Sequence, residues 1–137
     1  MIQLQIKKSH LKAVFILEDD EYRIKWFKEI FKDVPTLYIT KQPGTAIEVL
    51  NQQVFDILFL DHDLENDAYE AFEEGREPQK ELTGLYVAEQ LKDTKNRDTH
   101  CIIHSMNPSG AANMAKAHPF NTYQIPYYKL VETMELI

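Results

Sequence analysis

Three stretches of this 137-residue chain end an apolar run in residues that can hold a cation or move a proton. Ala13-Val14-Phe15-Ile16-Leu17 runs into Glu18-Asp19-Asp20-Glu21, Ile57-Leu58-Phe59-Leu60 into Asp61-His62-Asp63, and Thr99-His100-Cys101-Ile102-Ile103 into His104-Ser105-Met106-Asn107-Pro108-Ser109-Gly110. Taken singly, each tip has a plain reading: a polar turn, acids that favour a helix macrodipole, or an asparagine cap before a proline in the first helical turn. Taken together they read as a site. Carboxylates a few ångströms apart raise one another's pKa, so they must be protonated, splayed apart or neutralised by a cation. Oxygen donors of this kind suit Mg²⁺ or Mn²⁺, which keep waters and bind substrate phosphate. The helix start expected at Pro108 adds backbone N–H groups that favour an anion.

The elements that must position these tips follow from the pattern of apolar residues. Short apolar runs without alternation are how buried strands of a parallel sheet read, and the chemistry of such sheets lies beyond the carboxyl ends of the strands. Five strands are expected, starting near Ala13, Thr36, Asp56, Thr99 and Thr122, in flavodoxin-like order with Ile57 to Leu60 at the centre and helices on both faces. The helices expected between them are Tyr22 to Lys32 (Ile24, Phe27, Ile30 and Phe31 at helical spacing), Pro43 to Gln52, Leu82 to Lys92, and Pro108 to Ala117. Pro126 to Ile137 reads as a last helix presenting Leu130, Val131, Met134 and Ile137. Ile2, Leu4 and Ile6 alternate with polar residues, so residues 1–12 are expected to add an edge strand or to pair with a second copy in a homodimer.

Length and composition support one domain over residues 1–137, with 44% hydrophobic residues and net charge −7. Residues 65–81 hold seven acids against Arg76 and Lys80, which leaves −5 there and marks an acidic loop inserted after the central strand. A broad basic face for duplex nucleic acid is absent. No apolar run approaches a membrane span, and the start lacks a signal-peptide core, so a cytoplasmic protein is expected. The single cysteine, Cys101, lies in a strand-like run and reads as a buried thiol.

From about Ala13 onward these residues resemble a response-regulator receiver domain: acids after the first core strand, Asp61 after the third, and Ser105 after the fourth. By that resemblance Glu18 or Asp19 with Asp20 would hold Mg²⁺, Asp61 would occupy the phosphoacceptor position, and the Asp63 backbone would complete the metal shell. The pattern departs from receivers at Tyr123-Gln124-Ile125-Pro126, where Ile125 takes the place of a lysine, and at His62, His104 and the acidic insertion. Leu60-Asp61-His62-Asp63-Leu64 paired with the His104 to Gly110 stretch is similar to cyclic-phosphate processing receiver domains, a group derived from receivers. That resemblance implies metal-dependent, phosphoesterase-like processing of cyclic nucleotides or 2′,3′-cyclic phosphate ends of RNA.

The residues support such chemistry on their own terms. Opening a cyclic phosphodiester with water needs a cationic environment for the non-bridging oxygens, a base for the water and an acid for the leaving alkoxide. The expected roles are a divalent cation on Asp19, Asp20 and Asp61, acid and base work shared by His62 and His104, and orientation of a small phosphorylated ligand by Ser105 and Asn107. Two other readings stand beside it. One is a signalling receiver that accepts phosphate on Asp61, which lacks the usual lysine to answer phosphoryl charge. The other is a non-catalytic interaction module using the acidic loop and the Ile2, Leu4, Ile6 edge.

Overall fold

The computed structural model describes residues 3–64, 73–75 and 82–137. Five parallel strands form the main sheet: β2 (Ala13–Leu17), β3 (Thr36–Thr40), β4 (Ile57–Leu60), β5 (His100–Ile103) and β6 (Thr122–Gln124). Their spatial order is β3-β2-β4-β5-β6, the expected doubly wound, flavodoxin-like arrangement with Ile57–Leu60 at the centre. Successive side chains of a strand point to opposite faces, and both faces here are covered. Phe15, Leu17, Leu58, Leu60, Cys101 and Ile103 pack beneath α2 (Pro43–Gln52), α3 (Gly84–Leu91) and α4 (Pro108–Ala117). Val14, Ile16, Ile57, Phe59 and Ile102 pack on the other side against α1 (Glu21–Ile30) and α5 (Tyr127–Thr133). Two-sided burial explains why β2 and β4 read as unbroken apolar runs. Among the described residues no helix is long and apolar enough to cross a membrane.

The two ends of the chain depart from expectation. A short strand, β1 (Leu4–Ile6), does form, yet it does not join an edge of the main sheet. It pairs in parallel with β7 (Met134–Leu136), with Leu4 opposite Met134 and Ile6 opposite Leu136. The helix expected to reach Ile137 therefore stops at Thr133. Two forces override its helical pattern: β1 needs a partner for its backbone groups, and Met134-Glu135-Leu136 also alternates with the period of a strand. Met134 and Leu136 turn onto the α1/α5 face with Leu4 and Ile6, while Val131, expected to pack, is exposed. The acidic segment 65–81 lies largely outside the described residues; of the helical turn expected at Tyr69 to Glu74, residues 73 and 74 are described and are helical.

Met134→Asp should destabilise the protein by more than about 3 kcal/mol in a urea melt, because it places a charge against an apolar layer. Val131→Asp should cost no more than about 0.5 kcal/mol. Equal costs would indicate a helix running to the C-terminus.

Candidate functional site

The site is a consequence of strand register. Leu17 lies opposite Leu60, and Leu60 opposite Ile103, so the next residues, Glu18, Asp61 and His104, stand in a row across three adjacent strands. Each is anchored by one further bond past the end of its strand: Glu18 N–H donates to Thr40 O (3.1 Å), Asp61 N–H to Leu17 O (3.1 Å) and His104 N–H to Leu60 O (3.1 Å). By the alternation of side chains all three point to the α1/α5 face, and all are buried. Their ligand atoms lie within 4.8 Å of one another.

Three buried polar groups in a row need partners, and each finds at least one, while His104 Nδ1 has none among the described residues. His104 Nε2 donates to Glu18 Oε1 at 2.9 Å, while the Asp19 and Asp20 N–H groups donate to Glu18 Oε2 at 3.0 and 3.2 Å. Burial alone would raise the Glu18 carboxyl, but the His104 contact, the Asp20 N–H and the Arg23 charge together hold it below its ordinary value. Asp61 Oδ1 accepts from the His62 N–H at 2.9 Å. Burial first, and then the Glu18 charge, push Asp61 up to about 8, with Arg23 acting in the opposite direction.

A cleft of about 340 Å³ opens at these tips, lined by Glu18, Asp19, Asp20, Arg23, Asp61, Asp63, Ser105, Met106 and Asn107. All four expected metal ligands, Asp19, Asp20, Asp61 and Asp63, are on its wall, as are Ser105 and Asn107. Asp20 also caps α1 by accepting from Arg23 N–H at 3.0 Å. Asn107 caps α4 by accepting from Gly110 N–H at 3.0 Å, and its amide reaches both oxygens of Asp63 at 3.3 Å. Ser105 Oγ accepts from Asn107 N–H at 3.0 Å. The two histidines stand behind the wall. His62 Nδ1 donates to Asp63 Oδ1 at 2.6 Å and, with help from Asn107, holds that carboxyl below its ordinary value. His104 is fully buried, edge-on to Phe27 at 5.2 Å, and meets the cleft only through Glu18.

Arg23 escaped the sequence reading. Its Nη1 lies 3.6 Å from Glu18 Oε1 and 3.7 Å from Asp61 Oδ2. The signal was present, since Arg23 precedes Phe27 by four residues and so shares the inward face of α1. Two glycines set the corner that carries Asp61 and His62. A Cβ on Gly84 would lie 1.8 Å from the Asp61 carbonyl oxygen, and one on Gly110 would lie 2.6 Å from the His62 ring.

An acidic cleft at the carboxyl ends of a sheet in this order defines a receiver-like domain, and solved structures share the fold. The CheY-like receiver domain of a response regulator from Methanospirillum hungatei JF-1 superposes with a TM-score of 0.60 at 14% identity, over 93% of this chain and 83% of that one. The receiver domain of the sensor histidine kinase PA1611 from Pseudomonas aeruginosa PAO1, solved with magnesium coordinated in its active-site cleft, gives 0.64 at 14% identity, over 88% and 89%. The Mn²⁺-bound response regulator Rcp1 gives 0.59 at 16%, over 84% and 80%. No curated protein matches the sequence significantly. The family model for the cyclic-phosphate processing receiver domain matches residues 14–118, and the chain belongs to that family.

The raised Asp61 carboxyl fixes a pH dependence for the metal-free protein. A carboxyl whose folded pKa lies above its unfolded one favours the fold while protonated, so stability should fall as pH rises from about 4 to about 8. Glu18, shifted the other way, contributes stability that is lost as pH drops below the ordinary carboxylate range. Thermal melts in chelator should therefore peak at mildly acidic pH, and Asp61→Asn should be more stable than the parent at pH 8. A parent flat from pH 5 to 8 would contradict the charge balance described.

Proposed function

We propose that the cleft binds a phosphorylated ligand together with Mg²⁺ or Mn²⁺ and opens cyclic phosphodiesters with water, acting on cyclic nucleotides or 2′,3′-cyclic phosphate ends. The observation that carries this reading is a buried Glu18–His104 pair opening onto a carboxylate cleft in a member of the cyclic-phosphate processing receiver family. The donor set fits a hard cation: the cleft is built of carboxylate oxygens, and one of them, on Asp61, is left with more negative surroundings than Arg23 offsets. Asp19, Asp20 and Asp61 would hold the ion, with Asp63 beside them. A bound divalent cation supplies Lewis-acid polarisation of the phosphoryl oxygens.

The chain's own groups supply the rest. Glu18, kept ionised and aimed by His104 and two backbone N–H groups, is placed to take the proton of an attacking water. His104 thereby acts through Glu18, which reconciles its burial with a part in catalysis. His62, behind the wall, acts through Asp63, which it holds in place on the cleft lining, and the leaving alkoxide takes its proton from the solvent of the open cleft. Ser105 and Asn107, at the start of α4, offer polar groups to the phosphate beside a helix N-terminus.

A receiver reading, phosphorylation of Asp61, is favoured by one observation: Arg23 brings a cation within 3.7 Å of Asp61 Oδ2 although Ile125 replaces the lysine. The two readings separate on treatment with acetyl phosphate and Mg²⁺, and on incubation with a panel of cyclic nucleotides and 2′,3′-cyclic phosphates. The expected result is hydrolysis without an acyl-phosphate adduct in the intact mass, and a loss of roughly 10² to 10⁴ in turnover for His104→Ala. Stoichiometric hydroxylamine-sensitive phosphate on Asp61 would replace the hydrolase with the receiver. Neither turnover nor adduct would leave an interaction module.

Metal binding is checked independently of turnover. Ligand at about 100 times its Kd stabilises a folded protein by about 2.7 kcal/mol, so Mg²⁺ or Mn²⁺ should raise the melting temperature and chelator should reverse it. Asp61→Asn should lose most of that response.

A further inference from the structure

Among the described residues lining the cleft, Arg23 is the one cation, against the carboxyls of Glu18, Asp19, Asp20, Asp61 and Asp63. Its guanidinium faces Glu18 and Asp61 at 3.6 and 3.7 Å. Those separations exceed the roughly 2.7–2.9 Å of a charge-assisted hydrogen bond, so the contact is one of charge and leaves the planar donor fork uncommitted to either oxygen. The Arg23 Cζ lies 5.1 Å over the ring of Tyr127, the first residue of α5. One quarter of the side chain is exposed at the cleft. A group steadied on an aromatic face, loosely paired and open to the cavity, is suited to changing partners.

We propose that Arg23 exchanges ligands with the metal. With the cleft free of cation it faces Glu18 and Asp61; when a divalent cation is held by Asp19, Asp20 and Asp61, the guanidinium stays on Tyr127 and turns its donors to the phosphoryl oxygens. Like charges a few ångströms apart repel, which separates the guanidinium from the cation, and a planar fork matches phosphate geometry as no other side chain on this wall does. The role of Ile125 follows. With its side chain packed into the α1/α5 layer, it supplies no charge, and α1 carries the phosphate-binding cation that the last main-sheet strand lacks. Anion binding is thereby conditional on metal, because five carboxyls against one guanidinium reject a phosphate.

This role rests on the phosphate reading above, and the test keeps the two apart. Mn²⁺ alone, then inorganic phosphate at saturating Mg²⁺, are titrated by calorimetry and by fluorescence of Trp26. That residue is the single tryptophan of the chain and lies edge-on to Tyr127 at 5.6 Å. Arg23→Met should tighten Mn²⁺ binding by about tenfold, as a competing charge is removed, and weaken phosphate by roughly 10- to 100-fold, the worth of hydrogen bonds to a charged group. Opposite signs are what a merely structural arginine would not produce. Arg23→Lys keeps the charge and loses the fork, so it should weaken phosphate while leaving Mn²⁺ near the parent value. Tyr127→Leu should do the same, and it carries the test should Arg23→Met fail to fold. If Arg23→Met weakens both ligands or neither, the exchange is refuted. If the parent binds phosphate and all variants match it, the phosphate reading stands and only the role of Arg23 falls. If the parent binds Mn²⁺ but no phosphate at saturating Mg²⁺, the phosphate reading falls and takes this role with it.

Discussion

Parallel register is the constraint on which the rest of this structure depends. Once Leu17, Leu60 and Ile103 are aligned, the residue after each is committed to the same row, the same face and the same low-dielectric setting. Two of the three are acids. Placing neighbouring carboxyls out of water is costly unless each charge is answered, and the surrounding elements can be understood as answers. The start of α1 contributes the Asp19 and Asp20 N–H groups and the Arg23 charge. The end of β5, beyond β4, contributes His104 to Glu18, and the turn after β4 contributes the His62 N–H. Even the close seating of α3, possible only because Gly84 lacks a side chain, serves to hold the Asp61 backbone in line.

The tips of the three strands were legible in the sequence because buried strands announce themselves as apolar runs, and the first polar residue after each marks where the strand ends, although that residue is itself still buried. From this, the sheet order and the acids of the cleft wall could be placed. The direction of each side chain was not available at that level. His62 and His104 stand next to Asp61 and Ser105 in the chain, yet both rings lie behind the wall: His104 between Glu18 and Phe27, and His62 against Gly110 of α4. Arg23 illustrates the converse: it belongs to a helix whose apolar spacing identified the packing face, and a charged residue on that face is easily assigned to solvent. The end of the chain was misread for a related reason. Val131, Met134 and Ile137 fit a helical stripe, and Met134 and Leu136 fit a strand just as well; only the partner, β1, decides between them.

Asn107 shows how one residue can serve fold and site together. Its side-chain oxygen satisfies an orphan donor at the start of α4 while its amide nitrogen spans both oxygens of Asp63. Capping and site assembly are therefore a single geometric event, and the helix cannot shift without moving a wall of the cleft. The close packing of Gly110 on the His62 ring adds to the same coupling.

The β1–β7 ladder ties Leu4 to Met134 and is flanked by bonds between Lys8 and Ile137 and between Ile137 and Ile6. Among the described residues it is the contact of greatest sequence separation, and closing a flexible loop of that length costs roughly 4 kcal/mol of chain entropy beyond a constant. Three residue pairs do not supply that much from an unfolded chain. The clasp is expected to close after the five-stranded sheet has brought its ends together, when the row of Glu18, Asp61 and His104 at the far ends of the strands is already assembled.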